Sequence, residues 1–187
     1  MRLVKKVEWQ QDVKPIWEEA NQEFLARIYP ALSLENLLES ARAANSDIWD
    51  VPLVKEAVWY EAVFEEKDIN GLYLIGSDNL KDAFGNFKLS KINLDLCSGS
   101  HVEKVRSIAE SIAAGVSVHR PIVVARSDNS PFVLIDGNHR SLALHSLGKL
   151  VGQRTFLGID EKMSDFLWYK LALRVSFEDF KSLRAKK

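Results

Sequence analysis

The stretch Phe132–Gly148, FVLIDGNHRSLALHSLG, constrains the fold more tightly than any other part of the chain. The apolar run Phe132-Val133-Leu134-Ile135 has the length and texture of a short buried strand. It ends in the turn Asp136-Gly137-Asn138. His139-Arg140 then opens a helix with Leu142, Ala143 and Leu147 on one side, and Gly148 stands where a helix-terminating glycine is expected. A glycine between strand and helix lets a ligand approach the backbone closely, because there is no Cβ in the way. The first N–H groups of a helix have no intrahelical partner and point at whatever lies there. An imidazole and a guanidinium at the same spot add further anion donors. The chemistry suits a phosphate.

The element before it carries a second signal. Ser100 with Glu103 three residues on is a capping-box pattern, and the expected helix buries Val102, Val105, Ile108, Ala109 and Ile112. Lys104, Ser107 and Ser111 lie three and four residues apart, which puts them in a polar stripe on an adjoining face. A lysine and two hydroxyls in line could hold a polyphosphate; a solvated helix face explains them as well. Gly115 is expected to stop this helix, Pro121–Ala125 reads as a buried strand, and Ser127–Ser130 as a turn.

The first third reads as helical. Ile16, Trp17, Ala20, Phe24 and Ile28 recur at helical spacing from Val13, with Asp12 as N-cap and Pro15 in the first turn. Pro30 ends that helix, and Ser33 caps a second with Leu34, Leu37, Leu38 and Ala41. Leu53 to Phe64 suits helix or strand. After Asn70-Gly71 the texture changes: Leu72–Ile75, Phe84–Leu89 and Ile92–Leu96 read as strands. A soft boundary near residue 70 therefore divides a helical lobe, 1–70, from a second unit, 71–187. The fold class expected is α+β, a mixed sheet with helices. Gln153–Leu157 reads as an edge strand, Ser164 as the cap of a helix through Phe166–Arg174, and Ser176 as the start of another. The basic end, Lys181, Arg184, Lys186 and Lys187, is a solvated terminus or a contact to an acidic partner or DNA.

Composition excludes several function classes. The 187 residues are 47% hydrophobic and 27% charged, which is ordinary for a folded domain, and a formal charge of −1 gives no global pull toward nucleic acid. Cys97 is the sole cysteine, so an internal disulfide and a multi-cysteine zinc site are excluded. No run reaches transmembrane length and Met1–Lys6 lacks a signal-peptide core, so a cytoplasmic protein without membrane insertion is expected. No H-x-x-x-H, H-E-x-x-H or G-x-x-x-x-G-K-[ST] pattern occurs, which excludes a P-loop ATPase.

The order of Ile92–Leu96, the helix from Val102 to Ala114, RPIVVA at Arg120–Ala125 and LIDGNHRSLAL at Leu134–Leu144 resembles the ParB/sulfiredoxin superfamily. Its members share a strand–helix–strand–strand–helix core around a G-x-[HR]-R turn. The resemblance spans residues 90–160. It implies that Lys104, Ser107 and Ser111 contact a nucleotide and that His139 and Arg140 hold phosphate. The departures are informative. Asn138 stands where sulfiredoxins carry their catalytic cysteine, which excludes sulfinic acid repair by that chemistry. Segregation ParB proteins carry Glu-Arg-Arg at this turn and a helix-turn-helix domain after it. Residues 149–187 are too few for such a domain, and the helical N-terminal third is foreign to both branches. In size and layout the chain is more similar to small plasmid-encoded fertility-inhibition proteins of this superfamily. That likeness implies ATP hydrolysis, DNA cleavage and blockage of conjugative type IV secretion, with transfer components of the secretion machine as partners.

Three readings of the site follow. In the first, Lys104, Ser107, Ser111, Gly137, Asn138, His139 and Arg140 hold the phosphates of ATP, while Asp136 or Glu103 positions magnesium or water. In the second, the pocket takes and cleaves a DNA backbone, with His139 as acid–base and a divalent ion on carboxylates. In the third, the protein is an interaction module that docks a partner through its N-terminal helices. Further alternatives stay open: Asp136 as a partner orienting His139 or as a turn-starter, Glu103 as half of a capping box, His119-Arg120 with Arg126 as a phosphate or DNA patch or as exposed loop residues, His101 as an anion contact or a surface residue, and His145 as packing.

Overall fold

The computed structural model describes residues 1–20, 56–129 and 131–173. Expectations for the helices around Phe24–Ile28 and Ser33–Ala41 and for the segment after Leu173 lie outside these residues.

The described residues form an α+β fold on a mixed six-stranded sheet. The strands are β1 (Arg2–Val7), β2 (Val58–Val63), β3 (Leu72–Leu74), β4 (Ile122–Ala125), β5 (Phe132–Asp136) and β6 (Arg154–Ile159), in the spatial order β1-β2-β6-β4-β5-β3. Antiparallel pairs join β1 to β2, β2 to β6 and β4 to β5, whereas β6–β4 and β3–β5 are parallel. The helices are α1 (Glu66–Ile69), α2 (Asp78–Phe84), α3 (Ser100–Ala113), α4 (Asn138–Ser146) and α5 (Leu167–Leu173).

The centre of the sheet carries its most apolar sequence. All four residues of β4 are buried, as are Phe132–Ile135 of β5, because both strands have neighbours on either side. The segment expected as an edge strand, Gln153–Leu157, is instead part of β6 in the interior, between β2 and β4. Gly158 allows that position: a Cβ there would come 2.8 Å from the indole of the buried Trp59 on β2. Trp9 packs on Trp59 with ring centroids 5.0 Å apart, and Val13 and Trp17 are buried with them.

Several local expectations are overturned. Met1–Lys6 was given no element, yet Arg2–Val7 is edge strand β1, so β1 and β2 bring the residues before 70 into the same sheet as those after it. Asp12 does not cap a helix from Val13. A π-helical turn, Trp9–Val13, already starts after Glu8, and Asp12 Oδ2 reaches back to accept the Glu8 N–H at 2.8 Å. Phe84–Leu89 and Ile92–Leu96 are not strands. Phe84 ends α2, Gly85 turns the chain at φ 67, and two 3₁₀ turns, Leu89–Lys91 and Leu94–Leu96, follow. Phe84, Phe87 and Leu89 pack inward from the helix end and turns rather than from a ladder, while Leu96 is exposed. The strand that the superfamily resemblance places before α3 is therefore a 3₁₀ turn. Ser164 bonds the Glu161 carbonyl within a 3₁₀ turn capped by Asp160, and α5 starts only at Leu167.

Candidate functional site

The strand–turn–helix unit forms where the local signals put it. Gly137 takes the left-handed conformation, φ 79, and lets α4 begin at once after β5. A Cβ there would lie 3.1 Å from Pro121 Cα and 3.3 Å from Arg140 Nη2, so both backbone and space require glycine. Leu142, Ala143 and Leu144 are buried, and Gly148 closes the far end at φ 66. Leu147, expected on the buried side, is exposed because it already sits in the C-cap.

The side chains of this turn divide into two kinds. Asn138 Oδ1 accepts the Ile75 N–H at 3.0 Å and ties the start of α4 to the end of β3. That bond accounts for an asparagine here without a catalytic role. Arg140 Nη2 donates to Asp136 Oδ2 at 2.7 Å, while Arg140 Nε is buried with no partner. That pair occupies one of the two Asp136 carboxylate oxygens. Among the described residues, no group of three or more His, Cys, Asp or Glu could hold a metal ion.

Helix α3 packs against α4 and adds to the positive charge. Gly99, at φ 97, is its N-cap, so Ser100 is already helical and the expected capping box with Glu103 does not form. Glu103 is exposed. Burial pushes the Lys104 ammonium below its ordinary value. The Arg140 charge adds to that, and Asp136 opposes it. Burial likewise pushes His139 down to about 3, helped by Lys104, His101 and Arg140. His139 is therefore a neutral imidazole at neutral pH.

The partner of His139 is His101, whereas Asp136 bonds Arg140. His101 Nδ1 lies 2.8 Å from His139 Nε2, the rings within 5° of parallel and their centroids 5.1 Å apart. The centroid separation exceeds the N–N distance by about two ring radii, so the rings meet edge to edge in one plane. Phe84 meets both imidazoles edge-on, with centroids 6.4 and 6.3 Å away. The available signal was helical spacing: His101 is three residues before Lys104 and shares its face.

Ser107 and Ser111 continue that face along α3, about 4.5 and 10.5 Å beyond Lys104 at the helical rise. Ser111 Oγ donates to the Ser107 carbonyl at 3.0 Å, a contact within its own helix, and Ser107 is exposed. The tight group is thus His101, Lys104, Asp136, His139 and Arg140, with the two serines leading outward from it. Arg120, weighed as a phosphate contact, instead donates to the buried Glu61 at 2.9 Å, alongside Arg154 at 2.7 Å. Its ring neighbour is Phe156. His145 is half-buried, and burial lowers its pKa. No helix among the described residues is long and apolar enough to cross a membrane. Comparisons of the chain with protein-family models, with curated proteins and with solved structures find no match, so the chemistry of this site is argued from its own geometry.

Proposed function

We propose that this protein binds a nucleoside triphosphate by its phosphates at the Gly137–Arg140 turn and hydrolyses it, as a ParB/sulfiredoxin-like protein would. One observation carries the reading: Lys104 and Arg140 meet at the start of α4 with Asp136 as their carboxylate, and Arg140 Nε is buried without a partner. An anion arriving there relieves the repulsion between the cations, accepts the free N–H of Arg140 and meets the first amides of a nine-residue helix. Ser107 and Ser111 extend the contact along the phosphate chain.

His139 supplies the proton chemistry. Neutral in the free protein, it can accept a proton from an attacking water. The negative charge of the bound phosphate raises its basicity by opposing the effect of Lys104 and Arg140. His101, bonded to the other side of the transfer, passes the proton on or holds the ring in place. The test is calorimetric titration of ATP into wild type and Lys104→Ala, with phosphate release followed in parallel. Absence of binding by wild type at millimolar ATP sinks the reading.

A second reading, cleavage of a DNA backbone at the same histidines, is favoured by one feature. Pro121 lies against Gly137, and its neighbour Arg120 joins Arg154 and Lys5 around Glu61, so basic side chains continue past the turn. The cellular role that the resemblance implies, inhibition of conjugative transfer through a type IV secretion machine, fits either ligand. The double variant His139→Ala with Arg140→Ala separates chemistry from docking. Loss of inhibition in donor cells assigns the role to the site, and retained inhibition assigns it to a docking surface.

A further inference from the structure

Residues 82–98, which include the two stretches expected as strands, line an open cavity of about 440 Å³ between the end of α2 and the approach to α3. That volume is in the range of small-molecule sites. Its walls have a definite chemistry. Asn86 and Asn93 each commit the carboxamide oxygen to a backbone N–H, of Lys88 at 2.8 Å and Asp95 at 3.0 Å, which fixes both groups and leaves their NH₂ donors available. Leu96, at the wall, is 85% exposed, an apolar side chain left in water. The Cys97 thiol is turned to the Asn93 and Phe84 carbonyls and does not compete for a ligand.

The cavity adjoins the histidine pair. Phe84 contributes to its wall, while the Phe84 ring meets His101 and His139 edge-on. On the other side, Ser98 lines the cavity and His101 follows three residues later, a reach of at most ~10 Å even for extended chain. One nucleotide can therefore have its phosphates at the Arg140 turn and its remaining part in this cavity. A nucleobase matches the wall: an apolar face for Leu96, and ring nitrogens and carbonyls to accept from two oriented amides.

Resting on the phosphate-site reading, we propose that the cavity walled by Asn86, Asn93, Leu96 and Ser98 is the nucleoside subsite of this protein, so that its ligand is a nucleotide rather than a bare polyphosphate. The probes are ATP and inorganic tripolyphosphate, titrated by calorimetry into the full chain. Wild type is expected to bind ATP at least about tenfold more tightly than tripolyphosphate. Ser98→Trp, which fills the mouth, and Leu96→Asp, which charges the wall, alter exposed residues, and thermal unfolding checks that both stay folded. Each should abolish most of the ATP advantage while leaving tripolyphosphate affinity within about twofold. Equal affinity of wild type for both probes overturns the subsite and leaves the phosphate site standing. An unchanged ATP advantage in both variants overturns it too. Binding of neither probe to wild type removes the phosphate reading itself, and the subsite with it.

Discussion

His101 on α3 and His139 on α4, 38 residues apart in the chain, share a proton position: Nδ1 of one lies 2.8 Å from Nε2 of the other. One nitrogen must donate and the other accept, so the protonation of either ring constrains both. Phe84 holds the two edges in place. If the pair moves the proton in hydrolysis, His101→Phe should keep the packing and lower kcat by about a hundredfold or more, with KM little changed. Steady-state kinetics decide it. An unchanged kcat would make His101 a packing residue.

Arg140→Ala should weaken ATP binding by about 10- to 100-fold, the worth of one charge-assisted contact. It should also destabilise the fold by ~1 kcal/mol, because the half-buried Asp136 loses its partner and solvent offsets only part of that. Arg140→Lys retains charge but lacks the planar fork that reaches Asp136 and a ligand together, so it should rescue stability more than affinity. Calorimetry and urea unfolding of the three proteins separate the two effects.

Stability should fall on acidification well before the carboxylates titrate. His139 has a native pKa of about 3 against an ordinary 6.5, and burial shifts His145 the same way. Between these values the unfolded chain takes up protons that the native state refuses. For His139, stability is therefore complete above about pH 6.5 and declines toward pH 3, by up to roughly 1.4 kcal/mol per pH unit in mid-window, and His145 contributes in the same direction. Urea unfolding at pH 7.5 and pH 5, for wild type and His139→Phe, should show a shallower slope in the variant. Equal slopes would mean that His139 is protonated in the native state.

Gly158→Ala should cost about 1–3 kcal/mol, read as a drop in Tm. The new methyl would lie 2.8 Å from the Trp59 ring, which is buried and packed against Trp9. A neutral substitution would show that this aromatic cluster can shift.

The strand–turn–helix unit was legible because its signals are local. An apolar run, a glycine that alone tolerates φ 79, and a glycine past the helix end act within a few residues, whatever surrounds them. The burying face of α3 and the strand β4 were legible for the same reason, since periodicity and apolar run length are properties of short segments. The character of residues 84–96 was not. Their apolar residues alternate as in a strand, but pairing with β3 stops at a single bridge, Lys88 to Tyr73, and the backbone closes on itself in 3₁₀ turns. Strand β1 went unrecognised because an exposed edge strand need not alternate.

What only the tertiary structure decided is which charges meet. Glu61 accepts from Arg120 and Arg154, 59 and 93 residues away, pairings that no local pattern in the chain announces. The packing of α3 on α4 put Lys104 beside Arg140 and His101 beside His139, and the same burial that brought them together made His139 neutral. The chain by itself determined that a glycine turn would join a buried strand to a helix beginning His139-Arg140. Which side chains converge there, and in what protonation state, depends on desolvation and on contacts between elements far apart in the chain, and no local pattern encodes either.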